Sequence, residues 1–396
     1  MPTSTSVETD PVQVNFAKLN LKSKLSEDQI VDIKKKLKSL DQFPHNIYGL
    51  RVEIGEDGII RTPKDESETA KYKDWLPTWD PLEKYEPYEV FPFEDKGLKA
   101  DKDFKNLFNS SEYKVADITP KFGTEISGIQ LSQLTDEGKN DLARYVAERG
   151  VVVFKDQDLK DKGPGFAEEF GEYFGPLHIH PTTGAPEGHS KIHLVYKPSD
   201  SIKPQDAHLK THSKANFWHS DVSYEKQPPS ITFLGILEGP VSGGDTAFLD
   251  ATEAYNRLSP EFQQIIERLQ VVHQGVKQAQ NSRDTIGIVR REPVTNIHPL
   301  VRTHPVTGKK SIYVNPGFST EIVGLKYEES QAILSFLYDH LHTSIDLHAR
   351  VKWSPGSVVV WDNRRTSHTA LFDWETDERR HLFRITPRAE VPYLDK

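Results

Sequence analysis

The apolar positions of this chain fall into short runs whose spacing changes from segment to segment. In SEDQIVDIKKKLKSL, Ile30, Ile33, Leu37 and Leu40 recur at helical spacing behind Ser26 and Gln29, a capping-box pair, which predicts one short amphipathic helix. TDEGKNDLARYVAERG reads as a second helix, with Thr135 as cap, Leu142, Tyr145 and Val146 inward and Gly150 at the stop. The run VVVF follows at once as a buried strand. Further strands are predicted at ITFLGILE, TAFL, SIYVN, SVVVW and HLFRIT, and helices at SPEFQQIIERLQ and YEESQAILSFLYDHL. Many short strands with few helices between them predict an α+β chain with a barrel or jelly-roll core and peripheral helices, not an alternating parallel sheet.

The texture changes near Tyr113, which divides the chain into an N-terminal extension, 1–112, and a main domain, 113–396. Within the extension, the prolines of KYKDWLPTWDPLEKYEPYEVFPFEDKG exclude a regular helix or a central strand, while its Trp and Tyr side chains are costly to leave in water. This predicts an extended arm laid over a surface, either of its own domain or of a neighbouring subunit.

Composition narrows the function. With 396 residues and 10% aromatic side chains the chain can bury a sizeable core. A net charge of -9 argues against nucleic acid as a partner, since counterion release needs a basic surface. The absence of cysteine excludes disulfides, thiolate metal sites and a cysteine nucleophile. No run approaches the roughly 20 apolar residues of a membrane helix, and MPTSTSVETDPVQVNF lacks the features of a secretory signal, so a cytoplasmic protein is expected.

The chemistry gathers around ANFWHSDVSYEKQPPS. In a strand, His219 and Asp221 project to one side, and an imidazole with a carboxylate suits a divalent first-row metal. An isolated H-x-D triplet is weak evidence, and the best third ligand is His368 in VVVWDNRRTSHTALFDW, which could equally be a surface loop histidine. Downstream, DERRHLFRITPR places Arg380 and Arg384 on one face of a predicted strand, roughly 13 Å apart. Two guanidinium groups on an apolar strand require anionic partners, because an unpaired buried charge is very costly.

The set WHSD, GGDT, WDNRRTSH and RRHLFR, in this order and spacing, resembles the taurine dioxygenase family of iron(II)- and 2-oxoglutarate-dependent oxygenases, and most closely its sulfonate dioxygenases. The likeness runs from about Tyr113 to Tyr393 and includes FGPLHIHP and VRTHPVTGKKSIYVNPGFST. It implies a double-stranded β-helix core, Fe(II) held by His219, Asp221 and His368, and O2 and 2-oxoglutarate as cosubstrates. Arg380 then matches the anchor of the oxoacid's distal carboxylate, helped by the Thr246 hydroxyl, and Arg379 is expected to face solvent. Arg384 matches the residue that grips a sulfonate, His180 the histidine beside it, and Phe318 an aromatic wall. His178 is expected to point away, and His208 and His212 to lie on a solvated loop over the entrance. Thr183 stands where taurine-selective relatives carry tyrosine, so the resemblance supports sulfonate recognition more than amine recognition.

The implied reaction hydroxylates an alkanesulfonate next to sulfur, giving sulfite, an aldehyde, succinate and CO2. The same chemistry on an alkyl sulfate ester, an aryloxyacetate or a purine is the alternative. Outside this class stand a zinc hydrolase, in which the arginine and threonine anchor has no role, and a noncatalytic anion-binding barrel, against which the intact set of metal ligands argues. The family also implies a homo-oligomer, dimer or tetramer.

Overall fold

Strand pairing follows from the β-branched runs. In the computed structural model, which describes residues 24–38, 50–109, 112–199 and 217–395, Val151–Phe154 and Val358–Asp362 are buried along their whole length and pair at the centre of the main sheet. That sheet has seven strands in the order Lys114–Asp117, Thr124–Ser127, Val151–Phe154, Val358–Asp362, Ile231–Glu238, Arg380–Ile385 and His193–Lys197. A three-stranded sheet of His348–Val351, Thr246–Asp250 and Thr366–Ala370 faces it. Leu234, Ile236, Val359, Trp361 and Leu382 from the large sheet meet Phe248, Ala349 and Val351 from the small one, so the apolar faces of both layers close on one core. The result is a jelly roll. Its C-terminal strands run through both layers, from Val358–Asp362 to Thr366–Ala370 and back to Arg380–Ile385.

Helices cover the outer face of the large sheet. Asp136–Arg149 begins where the Thr135 side chain accepts the Gly138 N–H and ends at Gly150, whose φ of 77° only glycine adopts without strain. Leu142 and Val146 of this helix pack with Phe170 against Val152, Phe154, Phe233 and Phe383. Tyr327–Thr343 packs instead on a separate sheet of Thr295–Pro299, Gln270–Gln274 and Ser319–Ile322. Of SIYVN only the start is strand, in the Val301–Thr303/Lys310–Ile312 hairpin. Among the described residues no helix is long and apolar enough to cross a membrane.

The N-terminal segments lie on the chain's own jelly roll. Helix Glu27–Leu37 carries the capping box of Ser26 and Gln29, and Ile30 and Ile33 pack with Leu37, Ile60 and Trp79. Leu40 lies outside the described residues. Further on, Trp75 packs on Phe383 at 4.5 Å between ring centroids and donates its indole N–H to the Lys160 carbonyl. Thr78 bridges Ala185, and the Tyr88 hydroxyl accepts the Ile179 N–H at 2.6 Å.

This covering corrects the expectation for Arg379, which is buried rather than solvent-facing. Strand parity does turn it away from Arg380, but that outer face is closed by Lys64–Thr69. Arg379 Nε donates to Glu66 Oε1 at 2.8 Å, and its other nitrogens reach Glu238 and Thr69. Tyr196 and Ser199 also donate to Glu66, and these bonds hold its carboxyl below the ordinary range despite the opposing cost of burial. Removing one partner of a buried ion pair costs about 3 kcal/mol. Glu66→Ala should therefore lower the thermal unfolding midpoint by several degrees, while the exposed Arg51→Ala, which breaks a pair with Asp65, should leave it nearly unchanged.

Candidate metal centre and its flanking arginines

His219 and His368 exchange backbone hydrogen bonds, His219 N–H to His368 O at 3.0 Å and His368 N–H to His219 O at 2.8 Å. This isolated bridge, rather than a long strand through WHSD, sets the two rings side by side with centroids 4.2 Å apart. His368 itself lies within Thr366–Ala370 and is buried, so it is not a surface loop residue. Asp221 opens a turn after the bridge, where its N–H donates to Asn363 Oδ1 at 3.2 Å. Trp361, Ser230 and Thr232 fix that amide in turn. Asp221 Oδ1 stands 3.8 Å from His219 Nε2 and 3.7 Å from His368 Nε2, and one donor atom from each of the three residues falls within 4.8 Å of the others.

The donor set fits a divalent metal. His219 Nδ1 lies 2.9 Å from the Phe217 carbonyl, so that nitrogen carries the proton and Nε2 keeps its lone pair. Burial depresses the basicity of both histidines, reinforced at His368 by His219 and Arg384, and neutral imidazole is the ligating form. Asp221 Oδ2 and both ring nitrogens of His368 are buried without a hydrogen-bond partner, a costly arrangement for a protein to keep unless something else satisfies them.

One strand carries both arginines. Arg384 reaches Asp221 Oδ1 through Nη1 at 2.6 Å, beside the triad. Four positions earlier, Arg380 is buried with its guanidinium 5.6 Å from the Trp374 ring centroid, and its Nη2 donates to the Gly244 carbonyl at 3.0 Å. The glycines of GGDT allow this approach: a Cβ on Gly244 would stand 3.2 Å from Arg380 Nε, and one on Gly243 would stand 2.8 Å from the Trp374 backbone. Thr246 is buried at the start of Thr246–Asp250, where its hydroxyl accepts the Trp353 indole N–H at 3.2 Å.

His180 and Phe318 line the Arg384 side. Phe318 lies edge-on to His219 at 6.3 Å and to Tyr224 at 5.0 Å. His180 packs against His193 with tilted rings 4.3 Å apart, and His193 is the cross-strand partner of Arg384. His178 is buried away from the metal donors against Glu225, while His208 and His212 lie outside the described residues. Sequence reading missed what holds this wall: Arg290 donates to the His180 and Thr183 carbonyls, both at 2.8 Å, and Arg291 pairs with Glu225. The arginine doublet in GIVRREPV, inside an otherwise apolar stretch, was the available signal.

A jelly roll with two histidines and one carboxylate converging on one face defines the site class of mononuclear non-haem iron oxygenases. Residues 114–386 match the family model "Taurine catabolism dioxygenase TauD, TfdA family". The chain is 48% identical over 356 residues to an alpha-ketoglutarate-dependent sulfonate dioxygenase of Saccharomyces cerevisiae, covering 89% of this chain and 86% of that protein. It is 32% identical to an alkylsulfatase of Acinetobacter baylyi, over 71% of this chain and 87% of that one. A crystal structure of a taurine dioxygenase from Burkholderia xenovorans superposes with a TM-score of 0.56 at 29% identity, covering 71% of this chain and 92% of that one. The chain belongs to the taurine catabolism dioxygenase TauD, TfdA family and is an alpha-ketoglutarate-dependent dioxygenase.

The wall behind the site carries an acid sensitivity. Burial raises the Glu225 pKa, but the bonds from His178 and Arg291 outweigh it and leave the carboxyl at about 2, below its ordinary 4.5. Burial also depresses His178. Both shifts make the unfolded chain bind protons more readily than the folded one, so the stability they contribute is lost on acidification. For Glu225 the loss is on the order of 3 kcal/mol as pH falls from 4.5 toward about 2. Urea midpoints measured against pH should fall less steeply across that window for Glu225→Gln than for the unaltered protein.

Proposed function

We propose that this protein hydroxylates an alkanesulfonate at the carbon next to sulfur. In this reading His219, Asp221 and His368 hold Fe(II). With 2-oxoglutarate and O2, the metal supplies oxidative decarboxylation to succinate and CO2 and delivers one oxygen atom to a substrate C–H bond. The residues of the chain position the reactants. Arg380 takes the distal carboxylate of 2-oxoglutarate through its planar fork, and Thr246 adds a hydroxyl from the facing sheet. Arg384 and His180 hold the sulfonate, and Phe318 walls the alkyl chain. The 1-hydroxysulfonate so formed breaks into sulfite and an aldehyde with no acid or base required of the protein.

The observation that carries this reading is the pair of arginines on Arg380–Ile385, one beside the triad at Asp221 and one against Gly244, with one anion assigned to each. A hydrolase has no use for the second anchor. The match with the sulfonate dioxygenase of S. cerevisiae over most of both chains favours a sulfonate as the outer anion. The alkylsulfatase relative makes an alkyl sulfate ester, with the same charged head, the second reading. We assign catalysis to 113–396 and a covering role to 1–112, and a dimer or tetramer is the assembly this family reading favours.

Anaerobic addition of Fe(II) and 2-oxoglutarate should produce the weak visible charge-transfer band of a chelated oxoacid, and sulfite release should then require O2. Arg384→Ala should raise the sulfonate KM by more than about 30-fold, the loss of a charge-assisted contact, while sparing the oxoacid titration. Arg380→Ala should do the reverse. Equal effects of both variants on both ligands would contradict the assignment, and turnover of sulfate esters in preference to sulfonates would select the second reading.

A further inference from the structure

His180 has its tautomer set by the backbone. Its Nδ1 faces the N–H groups of Thr182 at 3.3 Å and Thr183 at 3.2 Å, which can only donate, and the more distant Thr182 hydroxyl at 3.4 Å, which can donate as well, so Nδ1 keeps the lone pair and the proton of the neutral ring sits on Nε2. Burial and the cationic neighbours Arg290 and Arg384 keep the ring neutral. Across from Nε2, at 3.5 Å, stands the amide nitrogen of Gln278. The orientation of that amide is also accounted for, because its Oε1 accepts the Tyr224 hydroxyl at 2.8 Å. Tyr224 is wedged between Phe318 and Gly275, where an added Cβ would stand 3.2 Å from the ring.

Two N–H groups therefore face each other, and among the described residues no acceptor lies between them. Turning the Gln278 amide over would not repair this, since Nε2–H to oxygen at 3.5 Å lies beyond a normal hydrogen bond. Donors that converge without an acceptor mark a place for an anion. Arg384 is near this place in the fold, as the cross-strand partner of His193, whose ring lies 4.3 Å from that of His180.

We propose that Gln278 is a specificity-determining residue: its amide NH2, the His180 Nε2–H and the Arg384 guanidinium form a three-sided donor cradle for the three oxygens of a tetrahedral sulfonate head. A planar carboxylate keeps both oxygens and their lone pairs in one plane and cannot meet donors arranged on three sides as well as a tetrahedral head does, so such a site discriminates against it. This inference rests on the sulfonate reading and adds to it the residue that selects tetrahedral over planar anions.

The test compares linear alkanesulfonates with alkanoates of matching length, scored by succinate formation or, for a poor substrate, by competitive inhibition. Gln278→Leu should raise the sulfonate KM about tenfold and narrow the preference over the alkanoate by the same factor. Gln278→Glu, which sets a negative charge against the anion, should cost considerably more than Gln278→Leu. Tyr224→Phe, which releases the amide, should shift the preference in the same direction by about threefold. The charge-transfer titration with Fe(II) and 2-oxoglutarate serves as the check that each variant is folded with its oxoacid site unchanged. Sulfite release by the unaltered protein, with sulfonate KM unmoved in both Gln278 variants or with sulfonate and alkanoate weakened equally, would overturn the inference alone. Failure of the unaltered protein to release sulfite from any sulfonate would remove the sulfonate reading and this inference with it.

Discussion

The pair of backbone hydrogen bonds between His219 and His368 is the constraint on which the site depends. Residues that exchange both bonds in an antiparallel bridge are directly opposite, so their side chains leave the backbone on the same side. That bridge makes two imidazoles from distant parts of the chain neighbours without any contact between the rings having to hold them. Asp221 joins through a separate device, the Asn363 amide fixed from three directions. The scaffold thus fixes the three residues by backbone and amide bonds, which leaves Asp221 Oδ2 and the His368 ring nitrogens without a hydrogen-bond partner.

The electrostatics follow the same division. Buried cations away from the site are matched by carboxylates: Arg379 by Glu66, Arg291 by Glu225, Arg364 by Asp362 and Asp95. Arg384 pairs with Asp221, which belongs to the triad, and Arg380 donates to the Gly244 carbonyl beside the Trp374 ring. These scaffold arginines have anionic side chains of their own, whereas Arg384 shares its carboxylate with the triad. Arg379 and Arg380 are adjacent in sequence and opposite in purpose, because the strand turns one toward the N-terminal segments and the other toward the jelly-roll interior.

Much of this was legible in the sequence where the cause is local. The Ser26–Gln29 box, the Thr135 cap, the Gly150 stop and the apolar strands depend on neighbours within a few residues, and the structure has them close to where the patterns place them. The shared face of Arg380 and Arg384 could be read because strand parity is local too, whereas the grouping of His219, Asp221 and His368 came from the family motifs, which supplied the pairing of distant segments. What escaped depends on contacts across long separations. Nothing near Arg379 announces that Glu66 will cover it, and nothing in VVHQGVKQAQ tells that Gln278 will be aimed by Tyr224 at His180. The side-by-side placement of His219 and His368 also arises from a single bridge, too short to leave a strand pattern in WHSD.

The most direct measurement of the central claim is the anomalous diffraction of crystals soaked anaerobically with Fe(II) and 2-oxoglutarate, recorded at the iron edge. One strong peak is predicted within bonding distance of His219 Nε2, His368 Nε2 and an Asp221 carboxylate oxygen, with the oxoacid's distal carboxylate on Arg380. A peak elsewhere, a centre that omits His368, or an oxoacid seated on Arg384 would contradict the account.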